Sequence, residues 1–332
     1  MNSIGNTRPD PDALLEQMRE SEHESRRGKL RIYFGASAGV GKTFAMLSAA
    51  QRAVHNGQDV LVGLVETHGR KETSSLLAGL KILPLRELPY RGQMLQEFDL
   101  DAALTAHPAI LLVDELAHSN APGSRHPKRW QDIEELLDAG IEVWTALNVQ
   151  HLESLNGTVG TITGVRINET VPDTVLDSAD EVVLVDVTAD ELLSRLKAGK
   201  VYIPQQAERA SQNFFRKGNL IALREIALRR TAEHVGDDVL TYRSQHTQKT
   251  LDTNASGTPA WNTSGAILVC VGPHEGAEQA VRSAARLAGQ LNVRWYAAYV
   301  ETPALQRQSA LKRDRTLTVL KLAEELGART AY

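Results

Sequence analysis

The chain is predicted to fold as an α/β protein in which a parallel sheet is covered by helices on both faces. Three observations carry this prediction. Short and nearly continuous apolar runs recur along the chain, which is typical of strands buried on both faces. Stretches with helical composition and periodicity separate these runs. The alternation stops at a polar stretch, residues 236–263, and then restarts, which in a chain of 332 residues indicates two domains.

The first domain, residues 29–235, is predicted to contain five strands. β-Branched and aromatic residues mark the first of them, whereas Ala, Met and Leu dominate the helix that follows it. A last amphipathic helix places Leu220, Leu223 and Ala227 on one face. The predicted strands are 29–34, 59–65, 109–113, 141–145 and 181–186, and the predicted helices are 44–55, 73–80, 130–139, 189–197 and 213–235.

The remaining segments are predicted from composition. Residues 1–28 are polar and form a flexible tail with one short helix at 12–19, and residues 236–263 form a linker rich in Ser, Thr, Asn, Gln and Gly. Residues 264–332 begin a second α/β unit with two strands, 266–271 and 293–300, and two helices, 275–291 and 311–326. Two strands and two helices are too few to complete such a domain, so this unit is predicted to be incomplete.

Composition excludes several classes of protein. The formal charge of −4 and the isoelectric point near 6.2 give no electrostatic reason to expect nucleic-acid binding. One cysteine, Cys270, excludes an intramolecular disulfide framework and a cysteine-rich metal site, in keeping with a reducing cytoplasm. No uncharged apolar run approaches the ~18 residues that a membrane helix needs, and the N-terminus is too polar for a signal peptide. We therefore expect a soluble, cytoplasmic fragment.

A glycine-rich turn joins the first strand to the first helix and ends in Gly41, Lys42 and Thr43. Backbone N–H groups at a helix start attract an anion, a lysine adds a charge for the β- and γ-phosphates, and a threonine hydroxyl can ligate Mg²⁺. The pattern predicts a P-loop that binds ATP. Its predicted cofactor-binding residues are Gly35, Ala36, Ser37, Ala38, Gly39, Val40, Gly41, Lys42 and Thr43.

One position departs from the usual loop pattern. Counting back from Lys42, the first glycine is expected at position 36, where this chain has Ala36, and a glycine stands one residue earlier, at Gly35. Alanine is the smallest substitute, and Gly39 and Gly41 keep the turn free where the backbone approaches phosphate. We interpret the departure as a tolerated variant.

The third strand ends in Asp114 and Glu115, as a Walker B strand does. Asp114 is expected to reach the water shell of Mg²⁺ beside Thr43, so these two residues are the predicted metal site. Glu115 is favoured as the group that orients the attacking nucleophile, by analogy with ATPases that have an extra strand between the P-loop strand and the Walker B strand. Glu66, at the end of the second strand, is the alternative, and it is equally well explained as a hydrogen-bonded turn residue.

Two further side chains are candidates at the same sheet edge. Asn148 follows the fourth strand and is predicted to sense the γ-phosphate. Arg125 lies in a loop broken by proline and glycine, 118–129, and can stabilise charge in the transition state, although a solvated surface loop explains it equally well. His118, His126 and His151 match no tight ligand spacing, so no structural transition metal is predicted.

The motif-bearing segments resemble the cytoplasmic N-terminal region of the KdpD sensor kinase family, bacterial regulators of potassium uptake. The matching segments are 28–43, 65–71, 114–132, 148–153 and 214–220. The resemblance implies that residues from about 264 begin a universal-stress-protein-like domain, and that the natural chain continues into membrane helices and a histidine-kinase core, so that the whole protein lies in the inner membrane. It also implies that this fragment does not autophosphorylate on histidine. Whether the second domain binds a nucleotide, including a cyclic dinucleotide, is left open.

Three functions are compatible with these residues. The first is a regulatory Mg-ATP module that controls the downstream kinase and phosphatase. The second is a phosphotransferase that acts on serine or threonine of a potassium-pump subunit, with Glu66 or Glu115 as base and Arg125 at the transition state. The third is a scaffold for a response regulator or pump subunit, in which the nucleotide is structural. A complete phosphate site serves all three, so the sequence leaves turnover open.

Overall fold

We describe a computed structural model of the chain for residues 26–201, 214–250, 266–274, 276–291, 293–300 and 310–331. The chain divides into two compact units, Met1–Val235 and Gly236–Tyr332. The predicted short helix at 12–19 and most of the predicted tail lie outside the described residues. Within the described residues, no helix combines the length and the apolar character that a membrane span requires.

The first unit contains a six-stranded sheet and a separate two-stranded hairpin. In chain order its strands are β1 Leu30–Gly35, β2 Val60–Leu64, β3 Lys81–Ile82, β4 Arg86–Tyr90, β5 Gln93–Glu97, β6 Ile110–Val113, β7 Glu142–Asn148 and β8 Glu181–Leu184. Its helices are α1 Lys42–His55, α2 Lys71–Ser74, α3 Leu100–Ala106, α4 Arg129–Asp138, α5 Asn156–Thr163, α6 Asp173–Asp177 and α7 Ala189–Lys197, and α8 Lys217–Thr250 continues past the unit's end.

The six-stranded sheet is parallel throughout and has the order β3-β2-β6-β7-β1-β8. This confirms the predicted α/β class with a parallel sheet. Strand β7 lies between β1 and β6, so an extra strand separates β1 from the strand that precedes Asp114. Because the carboxyl ends of parallel strands share one edge, the loop after β1, the turn after β6 and the end of β7 meet there.

Two apolar layers cover the sheet, one on each face. Alternation along β1 sends Ile32 and Phe34 into one layer and Tyr33 into the other, where Tyr33 packs with Met46 of α1 and Trp144 of β7. Helix α8 closes the first layer, because Leu220, Leu223 and Ala227 are all buried on the predicted face. Burial on both faces explains why the strands are nearly continuous apolar runs.

The structure corrects several predicted elements. The helix predicted at 73–80 is only the short α2 and a 3-10 turn at Ser75–Leu77, since the chain must turn toward β3. The β4–β5 hairpin and helices α3, α5 and α6 were not predicted. Helix α8 runs to Thr250, well into the predicted linker, because that stretch contains no proline before Pro259. The rest of that linker, residues 251–263, lies outside the described residues.

The second unit contains three described strands, not two. Strands β9 Ala266–Cys270, β10 Arg294–Ala298 and β11 Arg329–Ala331 form a parallel sheet in the order β11-β10-β9. Helices α9 Ala277–Leu291 and α10 Ala310–Glu325 pack on it through a small apolar core that includes Val281, Trp295 and Leu320. The last strand, which is only three residues long and largely exposed, gave no clear apolar run in the sequence.

Candidate functional site

The loop between β1 and α1 has the backbone shape that phosphate binding requires. Gly39 and Gly41 have φ values of 88° and 108°, in the region that favours glycine. A side chain on Gly39 would also meet the side chain of Val201 at 2.5 Å. Lys42 and Thr43 are the first two residues of α1, so N–H groups at the helix start face the loop.

The close approach that calls for glycine lies at Gly35, not at position 36. A Cβ atom on Gly35 would meet Cγ2 of Val40 at 2.7 Å and the carbonyl oxygen of Val185 at 3.0 Å. Ala36 is buried, and its φ value is not positive, so its methyl group is accommodated. The presence of the glycine at position 35, one residue before its usual place, therefore has a steric reason.

Lys42 connects the loop to β7. Its ammonium group donates a hydrogen bond to the carbonyl oxygen of Ser37 at 3.1 Å and another to Oδ1 of Asn148. Burial lowers the pKa of Lys42 to about 8, and the nearby carboxylate of Asp114 opposes that shift. The ammonium is thus held at the sheet edge with its charge partly desolvated, where an anionic ligand would stabilise it.

Thr43 and Asp114 meet beside this lysine. The Thr43 hydroxyl donates a hydrogen bond to Oδ2 of Asp114 at 2.9 Å, and Oδ1 of the same carboxylate accepts the backbone N–H of Glu115 at 2.9 Å. Asp114 is 2% exposed. A hydroxyl and a carboxylate oxygen are the hard ligands that Mg²⁺ prefers beside phosphate, so the donor set fits this ion.

The backbone of Glu115 has an unusual conformation, and this residue lies next to the Thr43 and Asp114 oxygens that fit Mg²⁺. Its φ value is 57°, the left-handed region. Burial raises the pKa of Glu115, and the carboxylates of Asp114 and Glu66 add to that effect. A carboxyl group of raised pKa is better suited to accept a proton than an ordinary exposed one.

His68 lies between the two carboxylates predicted as alternative bases. Its Nε2 is 3.9 Å from Oε1 of Glu115, and its Nδ1 is 3.9 Å from Oε2 of Glu66. Burial and the positive charge of Arg70 lower the pKa of His68. The lowered pKa favours the neutral form of the ring that lies between Glu66 and Glu115.

A cavity of about 230 Å³, called the first cavity below, opens at this sheet edge. The predicted site residues that line it are Ala38, Gly39, Gly41, Lys42, Thr43, Asp114, Glu115 and Asn148. Glu66 does not line it, and its carboxylate lies 3.9 Å from the ring of His68, which does. Arg125 does not line it either, because its guanidinium pairs with Asp101 and Glu135. Besides Lys42, the cavity wall carries the cation Arg70, which was not predicted as a site residue.

A buried ion pair lies under the turn at Asp114 and was also not predicted. Arg129, 2% exposed, donates a hydrogen bond to the Asp114 carbonyl oxygen at 3.3 Å and another to Oε2 of Glu97 at 3.2 Å. Oε1 of Glu97 accepts the N–H of Ala121 at 2.9 Å and lies 3.1 Å from Nε2 of His118. Burial acts to raise the pKa of Glu97, but its bonds with His118 and Ala121 outweigh this and lower it.

Arg195 of α7 holds the loop from the other side. Its guanidinium donates hydrogen bonds to the carbonyl oxygens of Gly39 at 3.2 Å and Val40 at 3.0 Å, and it also pairs with Glu191 at 2.9 Å. The Glu191–Arg195 spacing is visible in the sequence as a helical ion pair. The contact of Arg195 with a loop more than 150 residues earlier in the chain is not visible in the sequence.

Comparison with known proteins was consistent with these features. A family model described as "Osmosensitive K+ channel His kinase sensor domain" matches residues 26–235. The chain is 58% identical over 324 residues to "Sensor protein KdpD" of Escherichia coli, a match that covers 98% of this chain and 35% of the relative. It is 49% identical over 299 residues to "Sensor protein KdpD" of Clostridium acetobutylicum, covering 90% of this chain and 32% of the relative.

A third relative, from Synechocystis sp., is 43% identical over 300 residues. That match covers 90% of this chain and 77% of the relative. The chain therefore spans about a third of the length of the first two relatives but most of the length of the third.

Proposed function

The chain belongs to the KdpD sensor family, and from this premise we propose that its first unit binds Mg-ATP as the regulatory module of a sensor histidine kinase. In this proposal, nucleotide occupancy changes how the kinase and phosphatase of the longer protein respond to potassium limitation. The response regulator of that system and the potassium pump are the partners it affects. The module is a second nucleotide site, separate from the one that would feed autophosphorylation.

The observation that carries the proposal is the hydrogen bond between Thr43 and Asp114. It brings the hydroxyl at the helix start to the carboxylate that ends β6, across the intervening strand β7. Thr43 and Asp114 would hold Mg²⁺, and the loop N–H groups with Lys42 would hold the phosphates. When bound, Mg²⁺ neutralises phosphate charge. The protein itself orients the phosphates through the loop and α1.

The extent of the matched region also supports a self-contained module. In the Synechocystis relative this region makes up most of the protein. The E. coli and Clostridium relatives extend far beyond it. A unit that recurs in chains of such different length is well suited to bind a ligand and, through that binding, to regulate the domains joined to it.

Isothermal titration with Mg-ATP tests the binding step. We expect Lys42→Ala to lose at least tenfold in affinity, because it removes the buried cation of the loop. The matched control is Lys81→Ala, since Lys81 is an exposed lysine that pairs only with Asp59 among the ion pairs described. Equal affinity in wild type and Lys42→Ala would contradict the proposal.

The regulatory step needs the full-length protein in its membrane. We expect a Lys42→Ala, Asp114→Asn double variant to lose the normal change in phosphorylated response regulator between low and high potassium. Normal signalling by this variant, with its nucleotide binding abolished in vitro, would favour the scaffold function instead.

Glu115 supports a second candidate function, phosphoryl transfer to a serine or threonine of a pump subunit. Its carboxylate lines the first cavity and its pKa is raised, as a base for a hydroxyl would require. Arg70 is better placed than Arg125 to stabilise the transferred group, since it lines the same cavity. Labelled ATP incubated with the pump complex would test this, and absence of label dependent on both Lys42 and Glu115 would exclude it.

A further inference from the structure

A second cavity, of about 680 Å³, adjoins the first cavity on the outer side of the loop. Gly39, Gly41 and Phe44 line both cavities. Val185, after β8, and Ala45 contribute to the wall of the second cavity. The two cavities therefore share part of their walls at the loop and the start of α1.

The first cavity is too small for a whole nucleotide. Sites for small molecules usually measure about 300 to 1,000 Å³, and the first cavity has about 230 Å³. Its polar groups, the Lys42 ammonium and the Asp114 and Glu115 carboxylates, match phosphates and a cation. The second cavity lies within the usual range, but Asp114, Glu115 and Asn148 do not line it.

Phe44 is the feature that indicates what the second cavity binds. It is 46% exposed in the first turn of α1, whereas Met46 and Leu47 of the same helix are fully buried. A large aromatic ring exposed between two cavities, one residue after the Thr43 hydroxyl, offers a flat apolar surface to a ligand held by the loop.

The wall of the second cavity is held in place by ion pairs. Lys200, three residues past the end of α7, donates a hydrogen bond to Glu72 of α2 at 2.8 Å, and Arg195 is bound to Glu191 and the loop carbonyls. The Lys200–Glu72 pair links α2 to the segment after α7 on the wall of this cavity, and both of its side chains are largely exposed. A preformed wall next to an exposed ring is expected of a binding site, not of a surface groove.

We propose that the second cavity binds the nucleoside part of the nucleotide, with the planar base stacked on Phe44 and the phosphates extending past Gly41 into the first cavity. This inference rests on the proposed nucleotide binding and adds the position of the base. Stacking on an aromatic ring accepts any base, so the ring contributes affinity more than discrimination among ATP, GTP and CTP.

Titration of the whole chain with Mg-ATP and with inorganic tripolyphosphate plus Mg²⁺ tests this position. We expect Phe44→Ala to weaken ATP binding about tenfold, because a stacked base is lost, and to leave tripolyphosphate binding within about twofold. Phe44→Tyr should keep the affinity of wild type. Ile221→Ala is the matched control, since Ile221 is an equally exposed apolar residue, 53% exposed, on α8.

The outcomes separate this inference from the proposed function. If wild type and Phe44→Ala bind ATP equally, the second cavity serves another ligand, such as an acceptor peptide, and this inference is overturned while nucleotide binding stands. An equal loss of affinity for ATP and for tripolyphosphate in Phe44→Ala also overturns this inference. The ring would then affect the shape of the loop and not the binding of the base. If wild type binds neither ligand, both proposals are wrong.

Discussion

The Thr43 hydroxyl donates a hydrogen bond of 2.9 Å to Asp114, 71 residues away along the chain. With Mg-ATP, both oxygens would face the ion, so we predict that Thr43→Val removes most of the affinity that Mg²⁺ adds to ATP, about five- to tenfold. Titration with and without Mg²⁺ measures this, and Thr43→Ser should behave as wild type. An unchanged Mg²⁺ effect in Thr43→Val would place the ion elsewhere.

The low pKa of Lys42 predicts a pH-dependent affinity. Burial lowers the pKa to about 8, so the ligand-free amine is charged below pH 8 and neutral above it. Phosphate binding needs the charged form, and we therefore expect ATP affinity to be steady below about pH 7 and to fall above about pH 8, by at most tenfold per pH unit. Phosphate oxygens do not titrate in this range.

Lys42→Arg is the control for that profile. Its guanidinium stays charged, so its affinity, although lower, should be flat between about pH 7 and pH 9.5. If the wild-type profile is equally flat, the buried amine is not the group that titrates.

The Arg129–Glu97 pair predicts a large effect on stability. Removing one partner leaves a buried charge, so Arg129→Met should lower the free energy of unfolding of the first unit by about 3 to 5 kcal/mol in a denaturant titration. The double variant Arg129→Met, Glu97→Gln should recover part of this loss. Arg229→Met is the control, because Arg229 pairs with Glu225 at the surface, and it should change less than about 1 kcal/mol.

Arg195 predicts an effect on the loop. Arg195→Ala removes the donor to the Gly39 and Val40 carbonyl oxygens, so we expect faster amide hydrogen exchange in residues 39–41 and about fivefold weaker ATP binding. Arg282→Ala removes a helical pair with Glu278 of the same 2.9 Å length and does not touch the loop. Similar exchange in both variants would show that Arg195 does not hold the loop.

Gly35 and Ala36 give a paired prediction. Gly35→Ala would press a methyl group against Val40 and the Val185 carbonyl oxygen, which should cost about 1 to 3 kcal/mol of stability. Ala36→Gly restores the usual loop pattern and should cost about 1 kcal/mol, through backbone entropy and the loss of one buried methyl group. Thermal unfolding compares the two, and the reverse order would mean that glycine is needed at position 36.

Much of the sheet was predictable because burial on both faces leaves a simple signal. Strands β2 and β6 are apolar throughout, and β1 and β7 are mostly apolar. Each overlaps the segment that the sequence predicted, although β7 extends to Asn148, beyond the predicted end at residue 145. The β4–β5 hairpin carries no such signal. Most of its side chains are exposed, and Pro89 lies within it. Its folding depends on pairing between the two strands, which no local pattern records.

The candidate residues that line the first cavity were identified from local motifs, whereas the residues that support them were not. Asp114 and Glu115 follow an apolar strand, Asn148 ends another strand, and Lys42 follows a glycine turn, so each could be found alone. The partners of Arg129, by contrast, are set by the fold, because Glu97 is 32 residues away in the chain. The prediction that placed Arg125 at the site failed for the same reason, because its acidic partners Asp101 and Glu135 belong to two different helices.

The left-handed backbone at Glu115 places stability and chemistry in opposition at one residue. A non-glycine residue in this conformation costs about 1 to 2 kcal/mol, and glutamate has no short side chain to offset that cost. Glycine at position 115 would make this domain easier to fold, yet it would remove the carboxylate that the second candidate function assigns as the base. Under that candidate function, a lineage in which this site only held nucleotide would gain stability by replacing the glutamate with glycine, so the residue at this position would differ between members that act on the nucleotide and members that only bind it.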